Sequence, residues 1–164
     1  MDIRGSIAPH RRRRPVATAR RMMKTFYVSS ELFETLAQRL LGEVRADGTR
    51  YDGVLCPLRG GYWLSRAMAR GLGLPIYDIE ISSYVEHERK SFTFGRRPDL
   101  ADGTYLLCDD IYDSGNTINM IISLYPGSRF DVVCLVTKRD VGIRSGMAVE
   151  PDVWVEYFWE VGRA

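Results

Sequence analysis

The chain has 164 residues, of which 45% are hydrophobic and 27% are charged, values that are ordinary for a globular protein with one core. It contains no apolar run of about eighteen residues, so the sequence predicts no membrane-spanning helix. The net charge of +2 is unevenly distributed, because residues 1–23 contain seven arginines and one acid and leave 16 basic and 20 acidic side chains elsewhere. A globally basic nucleic-acid-binding protein would not show this distribution.

Residues 1–23 lack hydrophobic periodicity, and the run from Arg11 to Arg14 has no place in a core. We expect a disordered, arginine-rich arm, followed by one domain over 24–164. A nucleic-acid-binding tail, an organelle transit peptide, and a stretch that precedes a true start at Met22 or Met23 all fit this composition. A secretory signal does not fit, since no apolar segment follows the arginines.

The first predicted element of the domain is a helix, because apolar residues recur at helical spacing over 32–44 with Ser29 or Ser30 as the N-cap. Beyond it, short apolar strands alternate with helices, which predicts an α/β fold with a mainly parallel twisted sheet flanked by helices. These later elements are strand 53–56, helix 62–72, strand 76–81, strand 104–108, helix 117–125 and strand 131–137.

Segment 84–98 has mixed charge and weak periodicity, and it is longer than most loops in compact domains. We predict a mobile lid there, with a static two-stranded hairpin as the alternative. Three cysteines, Cys56, Cys108 and Cys134, lie in short apolar runs and fit no metal-ligand spacing. They are predicted to be buried, reduced thiols of a cytoplasmic protein.

The most informative segment follows the strand 104–108. Asp109 and Asp110 stand at the carboxyl end of that strand, where open α/β sheets bind ligands. The next loop, 113–117, is rich in small residues and runs into a helix, so its N–H groups can converge on a phosphate. The alternative is a plain capped helix start with Asp110 or Asp113 as the N-cap. The small loop residues are Ser114, Gly115, which permits close approach, Asn116, which tolerates the left-handed region, and Thr117.

Segment 106–117, LLCDDIYDSGNT, resembles the phosphoribosyl pyrophosphate (PRPP) signature of type I phosphoribosyltransferases. The resemblance implies that Asp109 and Asp110 hold the ribose hydroxyls and that the loop from Asp113 to Thr117 binds the 5′-phosphate. It also implies that Arg59, Gly60 and Gly61 form a pyrophosphate loop. A strained, cis peptide bond at Leu58–Arg59 is expected there.

Two further positions resemble the 6-oxopurine members of that family. An acid at Asp113 is typical of them, and its carboxylate would take the proton that leaves the purine, so Asp113 is the predicted catalytic residue. Lys138 follows a strand where the family has a lysine that donates to the 6-oxygen of the base. Taken alone, a lysine at a strand end is more often a solvated surface residue.

The C-terminal segment, about 150–162, resembles the base-binding hood of bacterial xanthine–guanine phosphoribosyltransferases. Trp154 would stack on the purine, Val155 would offer backbone groups to it, and Glu160 would lie near the metal. The alternative is that Trp154 and Trp159 are core aromatics. The resemblance implies Mg²⁺ as the cofactor, with Asp109, Asp110 and Glu160 as its ligands. Ser83 and Tyr84 would belong to the lid and fold over the reaction centre.

The resemblance covers 25–162, with departures at Asn116, at Arg139-Asp140 and in the missing C-terminal extension. It predicts an enzyme of purine salvage that transfers phosphoribose from PRPP to xanthine, guanine or hypoxanthine. We expect a homodimer or homotetramer and no binding of membranes or nucleic acid. The alternatives are a non-enzymatic PRPP sensor with a nucleic-acid-binding arm, and a phosphoribosyltransferase for another base.

Overall fold

The computed structural model of the protein describes residues 24–86 and 89–160, with the backbone alone for 83–86 and 89–91. A six-stranded sheet forms its centre, and the two ends of this part of the chain pair in a separate sheet of two strands. The predicted α/β class is confirmed. In chain order the elements are β1 (Lys24–Val28), α1 (Ser30–Ala46), β2 (Gly53–Leu58), α2 (Tyr62–Leu72), β3 (Ile76–Glu86), β4 (Arg89–Phe94), β5 (Thr104–Tyr112), α3 (Asn116–Ser123), β6 (Arg129–Thr137), β7 (Arg144–Ala148) and β8 (Val153–Tyr157).

The large sheet has the strand order β4-β3-β2-β5-β6-β7. All neighbours in it are parallel except β3 and β4, which pair as an antiparallel hairpin at one edge. The strands β2, β5 and β6 therefore end side by side at the same edge of the sheet. Loops that leave this edge form the crevice in which open α/β sheets bind ligands.

Helices cover both faces of the sheet, as its continuous apolar strands require. One core cluster joins α1 and α2 to the sheet, and a second joins α3 to the opposite face. Helix α1 begins as predicted, because the Ser29 hydroxyl accepts a hydrogen bond from the Leu32 N–H at 3.2 Å. Helix α2 ends at Gly73, whose φ of 67° places it in the left-handed region. The three cysteines are buried and free, as predicted.

Several predicted boundaries were wrong, among them the end of β2, which is Leu58 and not 56, and the start of β6, which is Arg129 and not 131. Strand β3 continues from the predicted end at 81 to Glu86, and most of the segment 84–98 forms the hairpin with β4 instead of a long loop. Strand β5 continues through the acid pair to Tyr112, because its backbone keeps pairing with β6 whatever the side chains are. Helix α3 occupies Asn116–Ser123 instead of 117–125. The two-stranded hairpin that was the alternative for segment 84–98 is therefore present, and its motion as a lid stays a prediction.

The small sheet pairs β1 with β8 in parallel, so the described part of the chain begins and ends in one two-stranded element, and β8 belongs to the segment predicted as the hood. The predicted arm, 1–23, and the last residues of the hood lie outside the described residues. Within the described ranges, no helix is both long enough and apolar enough to cross a membrane.

Candidate active site

The acid pair lies at the end of the central strand β5. Asp109 is 8% exposed, and one of its carboxylate oxygens accepts the backbone N–H of Asp110 at 3.0 Å. Burial, and next the charge of Asp110, hold the pKa of the Asp109 carboxyl well above its ordinary value. Burial also raises the pKa of Asp110, to about 6. Two adjacent carboxylates in this setting favour a ligand that brings hydrogen-bond donors or positive charge.

The loop after β5 forms a pocket of about 200 Å³ lined by residues 109–118. Helix α3 begins directly behind it, and its N-cap, Gly115, has a φ of 77° and provides no side chain to cap the helix. The first-turn N–H groups and the positive end of the helix dipole therefore face the pocket, which suits a phosphate. Glycine suits this position because its φ lies in the left-handed region, which residues with a Cβ atom rarely adopt, and an added methyl would also press against the Tyr112 side chain. The left-handed residue is thus Gly115 and not Asn116, which is the first residue of the helix.

The loop between β2 and α2 faces the acid pair. The peptide bond between Leu58 and Arg59 is cis, as the resemblance suggested. A Cβ atom on Gly60 would stand 2.7 Å from a carboxylate oxygen of Asp110, and one on Gly61 would overlap the carbonyl oxygen of Cys108. Both glycines are therefore required for the close approach of this loop to β5.

Arg59 and Gly60 open onto a cleft of about 680 Å³. Asp110 and Glu160 lie on its other walls together with four aromatic side chains, Tyr62, Trp63, Phe158 and Trp159. On its far side, Arg59 also borders a second cleft, of about 600 Å³, with Ser82 of β3. The predicted pyrophosphate loop thus lies between the acid pair and the predicted lid.

Asp113 and Lys138 meet at the ends of β5 and β6. The side chain of Asp113 is 62% exposed, and its carboxylate lies 3.9 Å from Nζ of Lys138. The side chain of Lys138 is only 12% exposed, so this lysine is not a freely solvated surface residue. A proton acceptor and a donor ammonium therefore stand together beside the phosphate pocket.

The predicted hood residues are only partly brought to this centre. Trp154 lies on β8 and is 55% exposed, so it is not a core aromatic, whereas Val155 is buried. The ring of Trp159 stacks on that of Tyr157, with 4.5 Å between the ring centroids, and contacts the ring of Phe33 edge-on. These contacts fit the interpretation of Trp159 as a core aromatic residue. Neither Trp154 nor Val155 lines the phosphate pocket or the 680 Å³ cleft.

The proposed lid residues lie in the hairpin. The backbone of Ser83 pairs with Phe92 and that of Tyr84 with Ser91. The side chains of Ser83 and Tyr84 are outside the described residues, so their part in closure stays a prediction.

Tyr157 is a site residue that sequence reasoning missed. Its side chain is 3% exposed, and its hydroxyl donates to the backbone carbonyl of Asp110 at 3.0 Å. Burial, and next the charge of Asp110, raise the pKa of Tyr157, so this hydroxyl stays a donor. It ties β8 to the acid pair. The only sequence signal was its place inside the hood segment.

Mg²⁺ prefers oxygen ligands and is usually held by one or two carboxylates together with substrate phosphates. Asp110 and Glu160 line one cleft, and the charge of Glu160 is among the causes that raise the pKa of Asp110. In the part of the chain that the structure describes, no three metal-binding side chains converge. Asp109, Asp110 and Glu160 therefore do not form a complete site alone. They fit an ion that takes its remaining oxygen ligands from the substrate.

Known proteins of one family are similar to this chain. A family model described as a phosphoribosyl transferase domain matches residues 27–141. The chain is similar to a xanthine-guanine phosphoribosyltransferase of Vibrio parahaemolyticus, with 27% identity over 142 residues, which cover 85% of this chain and 92% of that protein. The protein of the same name from Vibrio vulnificus strain YJ016 is 26% identical over 145 residues, which cover 87% of this chain and 94% of that protein.

Two solved structures show the same fold at 22% identity. The structure of a hypothetical protein from Neisseria gonorrhoeae with bound ppGpp superimposes with a TM-score of 0.71, and the aligned part covers 87% of this chain and 92% of that protein. The structure of a xanthine-guanine-hypoxanthine phosphoribosyltransferase of Helicobacter pylori superimposes with a TM-score of 0.68, and the aligned part covers 85% of this chain and 94% of that protein.

Proposed function

Since the chain belongs to the phosphoribosyltransferase family, we propose that it transfers the 5-phosphoribosyl group of PRPP to a 6-oxopurine base and releases pyrophosphate. One observation carries the proposal: the open pocket that follows the acid pair is lined by Asp113, whose carboxylate stands 3.9 Å from Nζ of Lys138. A sugar phosphate held in that pocket would present its anomeric carbon next to a proton acceptor and a donor cation. The base would be xanthine, guanine or hypoxanthine, and the reaction would serve purine salvage.

In the proposed reaction the purine nitrogen displaces pyrophosphate at the anomeric carbon. Asp109 and Asp110 accept hydrogen bonds from the ribose hydroxyls, while the loop from Asp113 to Thr117 binds the 5′-phosphate. The backbone N–H groups of Arg59 and Gly60 and the Arg59 guanidinium face the leaving pyrophosphate and stabilise its charge, whereas the Gly61 N–H donates to the Pro57 carbonyl at 2.9 Å and closes the loop. Mg²⁺, when bound by the carboxylates and the substrate, would neutralise part of that charge.

The base is handled by the two charged residues at the strand ends. Asp113 accepts the proton that the purine loses as its nitrogen attacks the sugar. Lys138 donates to the oxygen at position 6, and an ammonium has no acceptor to offer the amino group of adenine. Trp154, exposed on β8, stacks on the purine ring, and Val155 offers backbone groups to it. For Trp154 and Val155 to act in this way, the hood must close toward the pocket when the base binds.

A spectrophotometric assay with PRPP and Mg²⁺ tests the proposal on five bases: xanthine, guanine, hypoxanthine, adenine and uracil. We expect nucleotide formation with one or more of the first three and none with adenine or uracil. Turnover of adenine or uracil instead would assign the enzyme to another base. Absence of turnover with every base, together with PRPP binding, would support a sensor and contradict the enzymatic proposal.

The assembly and location of the protein are part of the same proposal. We expect a cytoplasmic homodimer or homotetramer, whose mass can be measured by light scattering after size exclusion. A filter-binding assay on the full chain and on a form without residues 1–23 tests the expectation that nucleic acid is not a partner.

A further inference from the structure

Arg139 occupies a position at which this sequence departs from the xanthine–guanine subfamily. Its guanidinium Nε donates a hydrogen bond of 2.7 Å to the backbone carbonyl of Asp113. The turn that presents Arg139 is itself fixed by Thr137, which is 6% exposed. The Thr137 hydroxyl donates to the Arg139 carbonyl at 2.6 Å and accepts the Arg139 N–H at 3.1 Å. Arg139 is thus held on a rigid base and reaches across to the neighbouring strand end.

The hydrogen bond from Arg139 to Asp113 lies just beyond the last backbone hydrogen bond between β5 and β6. The last sheet-like bond between β5 and β6 runs from the Lys138 N–H to the Tyr112 carbonyl at 2.9 Å. The first carbonyl after the end of β5 belongs to Asp113, and its donor is the Arg139 side chain. Arg139 therefore extends the support of the strand by one residue, to the residue that begins the phosphate loop.

The carboxylate of Asp113 has little else to orient it. Its side chain is 62% exposed, and its ion pair with Lys138 is 3.9 Å long, near the limit for such a contact. Among the described residues no side chain donates a hydrogen bond to the Asp113 carboxylate. The position of this carboxylate therefore depends on where its own backbone is held, and the hydrogen bond from Arg139 is a contact that holds that backbone.

We propose that Arg139 is a positioning residue that aims the Asp113 carboxylate at the purine. The proposal rests on the proposed function, because it assigns Arg139 a role through the proton acceptor of that reaction. The donor must be an arginine to work fully, since its Nε–H lies in a rigid plane, whereas a lysine ammonium is a mobile point donor. Small displacements of a reacting group lower rates steeply, by about 10²-fold for 1 Å.

The first test compares Arg139→Ala and Arg139→Lys with the wild-type enzyme. We expect Arg139→Ala to lower kcat by about 10- to 100-fold while KM for PRPP changes by less than about threefold. Arg139→Lys should recover part of the loss. The matched control is Arg39→Ala, since Arg39 is an exposed arginine of α1 that also donates to a backbone carbonyl, that of Ser145 at 3.1 Å. This control should keep wild-type kcat. Wild-type kcat in Arg139→Ala, or a loss confined to KM, would overturn the proposal.

A double-mutant cycle with Asp113→Ala separates positioning from general support of the fold. If Arg139 acts through the Asp113 carboxylate, removing Arg139 costs nothing once that carboxylate is gone. The double variant should then turn over as fast as Asp113→Ala alone. A further loss of the same size as in the wild-type background would show that Arg139 acts by another route.

Hydrogen exchange measured by mass spectrometry gives a readout that does not depend on activity. Arg139→Ala should exchange faster than wild type in peptides that span 113–118, whereas Arg39→Ala should not. Unchanged exchange there would overturn the proposal even if the kinetic loss were found. If the wild-type chain turned over no base, the proposed reaction would fail, and faster loop exchange in Arg139→Ala would still show that Arg139 holds the loop.

Discussion

Replacing Asp113 by alanine is the most direct test of the site. The side chain is 62% exposed, and among the described residues its one ion pair is the 3.9 Å contact with Lys138. The Lys138 side chain is only 12% exposed, but the contact is long and its acid is exposed, so the pair contributes no more than about 1 kcal/mol to stability. The helix behind the loop does not use the Asp113 side chain as its cap, because the N-cap is Gly115. Asp113→Ala should therefore fold normally, with a melting temperature close to that of the wild-type protein.

The catalytic cost should be far larger than the structural one. A positioned general base contributes about 10²–10⁴-fold to a rate. We expect kcat of Asp113→Ala to fall by that factor, which corresponds to about 3–5 kcal/mol of lost transition-state stabilisation. Asp113→Asn, which keeps the shape but does not accept a proton in the same way, should lose a similar factor. KM for PRPP should change little, since the 5′-phosphate is bound mainly by backbone N–H groups of the loop.

The measurement is the initial rate of nucleotide formation at saturating PRPP and Mg²⁺, with the best base from the panel. The matched control is Glu43→Ala, because Glu43 is another exposed acid in a surface ion pair, 3.5 Å from Arg39 on α1. It should retain full activity. Wild-type kcat in Asp113→Ala would remove this carboxylate from the mechanism. An equal loss in Glu43→Ala would mean that the assay reports surface charge and not catalysis.

Two other substitutions test the packing around the site. In Gly60→Ala the new methyl would stand 2.7 Å from an Asp110 oxygen and displace that carboxylate, so KM for PRPP should rise about 10- to 100-fold. In the control Gly42→Ala nothing lies within 4 Å of the new methyl, so KM for PRPP should not change. An equal rise of KM in the two variants would refute the clash with Asp110. In Arg66→Gln the paired hydrogen bonds of 3.1 Å to Asp78 are lost. Because the Arg66 hydrogen bonds lower the pKa of Asp78 below 3.8, this pair stabilises the fold above that pH and loses its effect as the pH falls through the lower, folded-state pKa. Urea unfolding should show a deficit of about 1 kcal/mol at pH 7 that shrinks at pH 3, and a pH-independent deficit would contradict the assignment.

The sequence was sufficient to predict the bounds of an element where its apolar side chains repeat at a clear spacing. Helix α2 occupies Tyr62–Leu72 as predicted, because its apolar stripe ends at a glycine that can adopt a left-handed conformation. Strand β5 was cut short in the prediction because Asp109 and Asp110 are not strand formers. In the folded chain their backbone groups still pair with β6, with Asp109 opposite Cys134. Sheet pairing over a distance therefore overrode local preference.

Contacts between distant segments could not be predicted from the sequence for a related reason. The hydroxyl of Tyr157 reaches the carbonyl of Asp110, which lies 47 positions earlier in the chain. Nothing in the residues around Tyr157 indicates that partner. Arg139 was visible only as a departure from a known pattern, and its bond to the Asp113 carbonyl spans 26 positions. Each contact depends on how two strands are placed against each other, which composition and periodicity do not specify.

The register of β5 and β6 gives the physical reason why Asp113 and Lys138 meet. Tyr112 pairs with Thr137 at the ends of these parallel strands. The residues that follow, Asp113 and Lys138, therefore leave the sheet side by side and in the same direction. Moving one strand by a single residue would turn one of these side chains to the opposite face of the sheet. The register of two buried strands thus places the acid beside the lysine. The apolar side chains that fix this register are therefore as necessary to the site as the two charged groups.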